Sequence, residues 1–413
     1  MPPAWLFGLA AVPYGSFNGL VAVGLPYILR RHGFPVERIA AIGALVQAPA
    51  IWYFLWAPVV DIKFRRRTWI LFLSFASACF TMLALGVAIV TARTVTVLLV
   101  LASVFNQPVL SALGGLMSGT VPNAVRGRAA GWSEAGMLGG GVFLGGLAVW
   151  LAGFAHPAVI VLTAGVLIAA PALVVLAIEE PQPARPGRRE HLVRMAREVA
   201  RMLKRRDAWL AIAFFLSPVS AGALMNLFSA VAADFKASAS AVLLVVAIGA
   251  VMTTAGALVG GVVLDRFDRW RVYPTAGLMA AACAGAMLLA PLKPITYVAG
   301  AAAYAFVTGF GYAAFMALAL EVLGSETAAS GTRFTLFMAA SNVPLVYMLR
   351  LDGVGHAHFG VRGMLAADAI ANATFGLLLL AILAWLRSEH SRTGIHGALG
   401  ATAAPDPLDV HVA

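Results

Sequence analysis

Amides, hydroxyls and a few carboxylates stand inside long apolar runs of this 413-residue chain, many of them four residues apart. Residues at that spacing share one face of a helix. Tyr14 and Asn18 form one such row, Ser103, Gln107 and Ser111 a second, and Tyr304, Thr308 and Tyr312 a third. Gln47 beside Pro49, Asn226, and Asn342 beside Pro344 add single amides. Such groups can bind a hydrophilic solute through O–H and N–H donors and carbonyl acceptors. The plainer alternative is that they tie helix to helix, at about 0.6 kcal/mol per bond in a membrane. Polar groups in lipid are costly, so a functional role is the first reading of each.

The charged residues gather in short stretches. Trp56–Trp69 closes one apolar run and opens the next with Asp61, Arg65, Arg66 and Arg67. A weaker copy, with Asp265, Arg266, Asp268, Arg269 and Arg271, lies 204 residues further on. Acid and base on so short a loop can latch two bundles together, Asp61 capping a helix terminus across the gap. As solvated topology anchors they need no such role. Glu134 and Asp368 each lie about a turn inside an apolar run. Each either carries a proton or holds an ion pair: Glu134 with Arg128 or Arg65–Arg67, Asp368 near Arg350 and Arg362. Arg30 and Arg31 either draw in an anionic solute or anchor a helix end. Asp352, His356 and His358 read as residues of a final glycine-rich loop, where a metal or ferric-chelate contact is the sharper alternative.

The elements that must position these groups are membrane helices. Hydrophobic residues make up 61% of the chain and charged ones 11%, against about 25% charged in soluble domains. With a mean hydropathy of +0.88, lipid is the solvent for most of the surface. A span needs about 20 apolar residues. Twelve are predicted, at 5–29, 38–60, 68–91, 95–121, 130–153, 157–178, 208–233, 240–264, 272–290, 295–320, 334–350 and 364–386. With the N-terminus inside, the inner loops and tail hold 21 Lys and Arg and the outer loops 8. That excess puts both termini in the cytoplasm. The net charge of +11 therefore reads as an orientation signal rather than a nucleic-acid footprint.

The offset of 204 also aligns Gly127 with Gly331 and Cys79 with Cys283. Matching places in two repeats explain the cysteines better than a disulfide or a metal site. The chain divides into two six-helix bundles, 1–178 and 208–386, joined by a linker at 179–207 and followed by a polar tail at 387–413 that is expected to be disordered. The linker carries an amphipathic basic stretch suited to the inner leaflet; a calmodulin-type or nucleic-acid site is the sharper alternative. Gly141 and Gly145, and Gly256 and Gly260, predict close backbone packing of the fifth and eighth helices, either as a sliding surface between the halves or as packing alone. No cleavable signal peptide is evident.

Segment 15–69 carries Gly24-Leu25-Pro26, then Phe54-Leu55-Trp56-Ala57-Pro58-Val59-Val60-Asp61, then Arg65-Arg66-Arg67-Thr68-Trp69. It resembles the branch of the major facilitator superfamily that holds AmpG-type muropeptide permeases and acetyl-CoA transporters. The loop between Asp61 and the arginines is shorter than that family's. The resemblance implies an all-α, twelve-helix fold whose helices one, four, seven and ten line a central cavity. It also implies proton-coupled import of a cell-wall-derived sugar-peptide across the bacterial inner membrane by alternating access. Uptake of a siderophore or an acyl-CoA-like anion is the alternative within transporters. A non-transporting receptor would need a folded domain outside the membrane, and no loop is long enough. An enzyme would need a buried nucleophile–base or acid pair, and none stands out. P-loop, His-Glu-x-x-His and Gly-x-Ser-x-Gly spacings are absent, so neither catalysis nor a cofactor is expected. The expected partners are a small-molecule solute and the lipid bilayer, with no nucleic acid, the chain acting as a monomer.

Overall fold

The structure is a computed structural model that describes residues 2–52, 64–86, 92–122, 126–180, 204–219, 221–323 and 330–393, with a few single residues between them. Asp61, most of the basic linker and the tail beyond 393 lie outside the described residues. Nine of the described helices are long and apolar enough to cross a membrane. We label the spans α1 to α12.

In the first half these are α1 (Trp5–Arg31), α2 (Val36–Gln47, extended by a 3₁₀ turn at Ala48–Trp52), α3 (Arg66–Gly86), α4 (Ala92–Thr120), α5 (Arg126–Leu151) and α6 (Pro157–Ala169, extended by a 3₁₀ stretch to Ala177). In the second half α7 starts at Arg206–Phe215, followed by α8 (Ala239–Leu264), α9 (Arg269–Leu289) and α10 (Pro294–Leu323). The last helical stretch, Ser330–Thr393, is too long for one crossing. Its backbone leaves helical geometry at Phe359 and Gly360, which divides it into α11 (330–358) and α12 (361–393). These twelve spans form two six-helix bundles. Phe72, Phe143, Leu258 and Leu289 are among the apolar side chains exposed on the outside, as lipid requires.

Two expectations need correction. The glycine-rich stretch 351–363 is no loop, and the chain reverses within two residues. Gly360 has φ +63°, open to glycine at no steric cost. A methyl on Gly355 would collide with the Gly363 carbonyl, so the two arms touch backbone to backbone. Asp352 and His356 therefore belong to α11, and Arg362 to α12. The seventh span is also not one helix. α7 stops at Phe215 and resumes as short turns at Ala223–Asn226, Phe228–Val231 and Ala232–Phe235, with Gly222 left-handed between.

Side chains of neighbouring helices bond the carbonyls freed at that break. Tyr347 of α11 donates to the Leu216 carbonyl at 2.9 Å, and Tyr273 of α9 to that of Val219 at 3.1 Å. α1 carries the matching irregularity, a π turn at Leu20–Gly24. There the Val23 carbonyl accepts from the Ser229 hydroxyl of α7, in the other half, at 2.8 Å.

The glycine pairs also act differently from expectation. Gly141 and Gly145 of α5 abut Gly15 and Gly19 of α1, while Gly256 and Gly260 of α8 abut Phe306 and Phe310 of α10. Both pairs fasten helices within one half. α5 and α8 do meet, but through Gly146 against Leu243 and Val246. A β-carbon on Gly19 would overlap the Gly141 carbonyl, whereas Gly114 has nothing near. Gly19→Val is therefore expected to cost about 1–3 kcal/mol by overpacking, seen as a lower melting temperature in detergent, with Gly114→Ala nearly unchanged.

Candidate functional site

One polar cluster spans α1 and α4. The Tyr14 hydroxyl donates to Gln107 Oε1 at 3.4 Å, and Asn18 Nδ2 to the Tyr14 carbonyl at 2.9 Å. Asn106 Nδ2 reaches that same carbonyl at 3.5 Å. Gln107 and Asn106 are buried, while Tyr14 and Asn18 are half-buried. Asn106 was missed in the sequence because only spacings of four were followed. It follows Ser103 by three, a spacing that shares a helix face equally well. Ser103 and Ser111 each hold a buried hydroxyl without a hydrogen-bond partner. Every side chain of this group is uncharged.

The row on α10 does not act as one surface. Tyr304 is buried and donates to both oxygens of Asp368 on α12, at 3.1 and 3.2 Å. The Thr308 hydroxyl bonds the Tyr304 carbonyl, at 2.9 Å, and its methyl sits where a side chain on Gly222 would be. Tyr312 is 52% exposed. Of the single amides, Asn342 of α11 donates to the Ala50 carbonyl of α2 at 3.3 Å and so joins the halves. Gln47 and Asn226 are half-buried.

The end of the bundle bearing Arg66 and Arg269, here the basic end, holds two similar clamps. Glu180, after α6, accepts the backbone N–H groups of Arg66 and Arg67 at 3.0 and 3.1 Å. A carboxylate there complements the α3 N-terminus. The Arg66 guanidinium donates to the Gly115 carbonyl of α4 at 2.6 Å. In the second half Asp268 caps α9 through the Trp270 N–H at 3.1 Å. Glu321 of α10 takes Arg269 at 3.3 Å and the Trp270 indole at 3.1 Å, and Arg387 of α12 pairs with Asp268. These contacts bind each charged hairpin to its own half. Arg65, Asp265 and Arg266 are exposed.

At the opposite end the halves are joined. Asp234 of α7 lies 3.7 Å from the Arg30 guanidinium of α1 and 3.0 Å from His356 Nε2 of α11. Arg30 is thus neutralised rather than left to draw anions, and Arg31 is exposed. His358 is exposed beside Phe359, so the two histidines serve different neighbours and form no shared ligand set. Glu134 is exposed and forms no ion pair with Arg65–Arg67 or Arg128 among the described residues. Arg350 and Arg362 are exposed too, with neither turned to the buried Asp368.

A groove of about 780 Å³ opens between α8, α9 and α10. Met252, Met287, Phe306 and Val307 line it, and it lies away from the α1–α4 cluster. It is apolar and flanks the bundle, so it does not supply the polar cavity.

No curated protein matches the chain. Solved structures share its fold across nearly its whole length. The nucleoside transporter NupG is 12% identical with a TM-score of 0.69, covering 92% of this chain and 98% of that one. A D-xylose-proton symporter is 13% identical with a TM-score of 0.68 over 91% and 96%. A bacterial homologue of the human lysosomal transporter Spinster, in an inward-facing and occupied conformation, is 13% identical with a TM-score of 0.64 over 91% and 96%. The profile of the Major Facilitator Superfamily matches residues 7–347. The chain is a multi-pass membrane transporter rather than an enzyme, and it belongs to the Major Facilitator Superfamily.

Proposed function

We propose that this transporter imports a small hydrophilic solute, of the sugar-peptide kind carried by muropeptide permeases, driven by protons. The observation that carries this reading is the uncharged cluster of Tyr14, Asn18, Asn106 and Gln107. It offers amide and phenol groups suited to hydroxyls and peptide groups, and no fixed charge to select an anion. The resemblance of segment 15–69 to muropeptide permeases supports the same class. The neutral, hydroxylated solutes named for the structurally similar nucleoside and xylose transporters fit it too. An acyl-CoA-like anion or an acidic siderophore would call for a cation in the cluster.

The excess of Lys and Arg in one set of loops supports a cytoplasmic position for the basic end. The Arg30–Asp234–His356 contacts then close the outer side. In alternating access the halves rock about the central site, so these contacts break as the outer side opens. Arg65–Arg67, Asp265, Arg266 and Arg269 then approach across the cytoplasmic side and act as its gate. Ser103, Ser111, Gln47, Asn226, Thr308, Tyr312 and Asn342 border the solute path in this reading.

Purified protein in liposomes with an imposed pH gradient is expected to accumulate an anhydro-sugar peptide. Gln107→Ala is expected to raise the half-saturating concentration about tenfold, the equivalent of about 1.4 kcal/mol. Accumulation that ignores the pH gradient would refute proton coupling, and rescue of growth on low iron without peptide uptake would favour a siderophore. The outer contacts have their own readout. In a background lacking Cys79 and Cys283, Ser229→Cys should react slowly with a hydrophilic maleimide. Adding Asp234→Ala should speed that reaction several-fold, and an unchanged rate would contradict the outer closure.

A further inference from the structure

α11 and α12 run antiparallel from their tight reversal, and each carries one aspartate eight residues from Gly360. Asp352 is 0% exposed and Asp368 1%. They stand at the same level of a hairpin whose arms touch backbone to backbone at Gly355 and Gly363. Around them the acceptors outnumber the donors. Among the described residues neither oxygen of Asp352 has a hydrogen-bond partner, nor does the buried Oδ1 of Asn372, one turn beyond Asp368. Asn372 Nδ2 already donates to the Asp368 backbone carbonyl at 3.0 Å. The Tyr304 hydroxyl is shared between the two oxygens of Asp368.

Cations do not make up the deficit. Arg350 and Arg362 are exposed, and His356, one turn from Asp352, bonds Asp234. From α9, Cys283 donates to the Gly300 carbonyl at 3.7 Å. Tyr297 of α10 is buried with its hydroxyl unpartnered. α2 meets Gly353 through the backbone of Glu37, whose side chain is exposed. Two buried carboxylates with no cation beside them among the described residues, and donors on the Asp368 side alone, cost several kcal/mol per charge. A proton on the pair removes a charge and supplies the missing O–H donor.

We propose that Asp352 and Asp368, with Tyr304, form the site where the transporter takes up and releases its coupling proton, separate from the solute cluster on α1 and α4. In uptake a proton passes from water to one carboxylate oxygen, making a carboxylic acid, and no other bond changes. This rests on the proton-coupled reading above. The access route is also built in. Phe228 of α7 stands edge-on to Tyr304, ring centroids 5.8 Å apart, and its neighbour Ser229 holds the Val23 carbonyl of α1. When the halves part at the outer end, the Ser229 bond breaks and Phe228 leaves Tyr304, so water reaches the acids as the solute path opens outward.

Infrared difference spectra of the full chain in liposomes, stepped through pH, test the site without any solute. The native protein should show a carboxylic-acid carbonyl band that titrates. The band should vanish in Asp352→Asn/Asp368→Asn and persist in Glu134→Gln. Each asparagine restores a donor where the acid O–H stood, so folding should survive, and the single variants serve if the double one fails. Tyr304→Phe should keep the band but move its midpoint, which a merely packing tyrosine would not. A band unchanged in the double variant, or none in the native protein, overturns the proposal. In the uptake assay the single variants should lose pH-driven accumulation of the anhydro-sugar peptide while retaining its exchange. A native protein that titrates the band yet never accumulates that solute would refute the transport reading and leave the site standing.

Discussion

A bilayer offers no water to an unpaired carbonyl, so every break in a spanning helix must be answered by a neighbour. That constraint organises the centre of this molecule. α7 breaks after Phe215, and the hydroxyls of Tyr347 and Tyr273 take the carbonyls it frees. The π turn of α1 is answered from the other half, by Ser229. The first two bonds hold α7 to its own bundle, whereas the third crosses between bundles. A contact that crosses can be exchanged for water when the outer end opens, while the tyrosine bonds stay in place. The break can therefore change partners during rocking without leaving the backbone unsatisfied in lipid.

The halves need rigidity for such rocking, and glycine contacts provide it. Gly15 and Gly19 against α5, and Gly256 and Gly260 against α10, bring backbones too close for any side chain. Dispersion at that separation is strong, and no polar group is left to compete. The charged clamps at the basic end work the same way, each fixing one hairpin to its own bundle. Between the bundles an apolar contact surface carries a few polar bonds, through Asp234, Ser229 and Asn342. Rigid bodies joined by an apolar surface with a few exchangeable polar bonds suit a two-state movement.

The spans were legible in the sequence because twenty apolar residues are a coarse and robust signal. The α11–α12 reversal was not. Its glycines and charges, from Asp352 to Arg362, have the composition of a loop, yet here Gly353, Gly355 and Gly363 serve close helix packing. Misplacing that turn removed Asp352 from the membrane and hid that it stands level with Asp368 on the hairpin. The break in α7 was hidden for a related reason: hydropathy averages over Pro218 and Gly222 and is blind to backbone geometry. Glycine spacing showed that some helix would come close, but not which one, since the partner is a property of the bundle. The residues of the Tyr304 row meet different neighbours, Tyr304 facing Asp368 and Thr308 facing Gly222, because a helix inside a bundle touches several others.

The position of the acids has a consequence for coupling. A carboxylate in the solute path would trade its proton against solute contact, and a sugar-peptide rich in amides would compete for it. Asp352 and Asp368 instead lie inside one bundle, with Tyr304 between Asp368 and the Phe228 ring. Proton and solute then meet only through the movement of α7. A ligand shifts a conformational equilibrium by its difference in affinity between the two states. A proton that neutralises a buried pair favours the closed arrangement in which that pair is sealed from water.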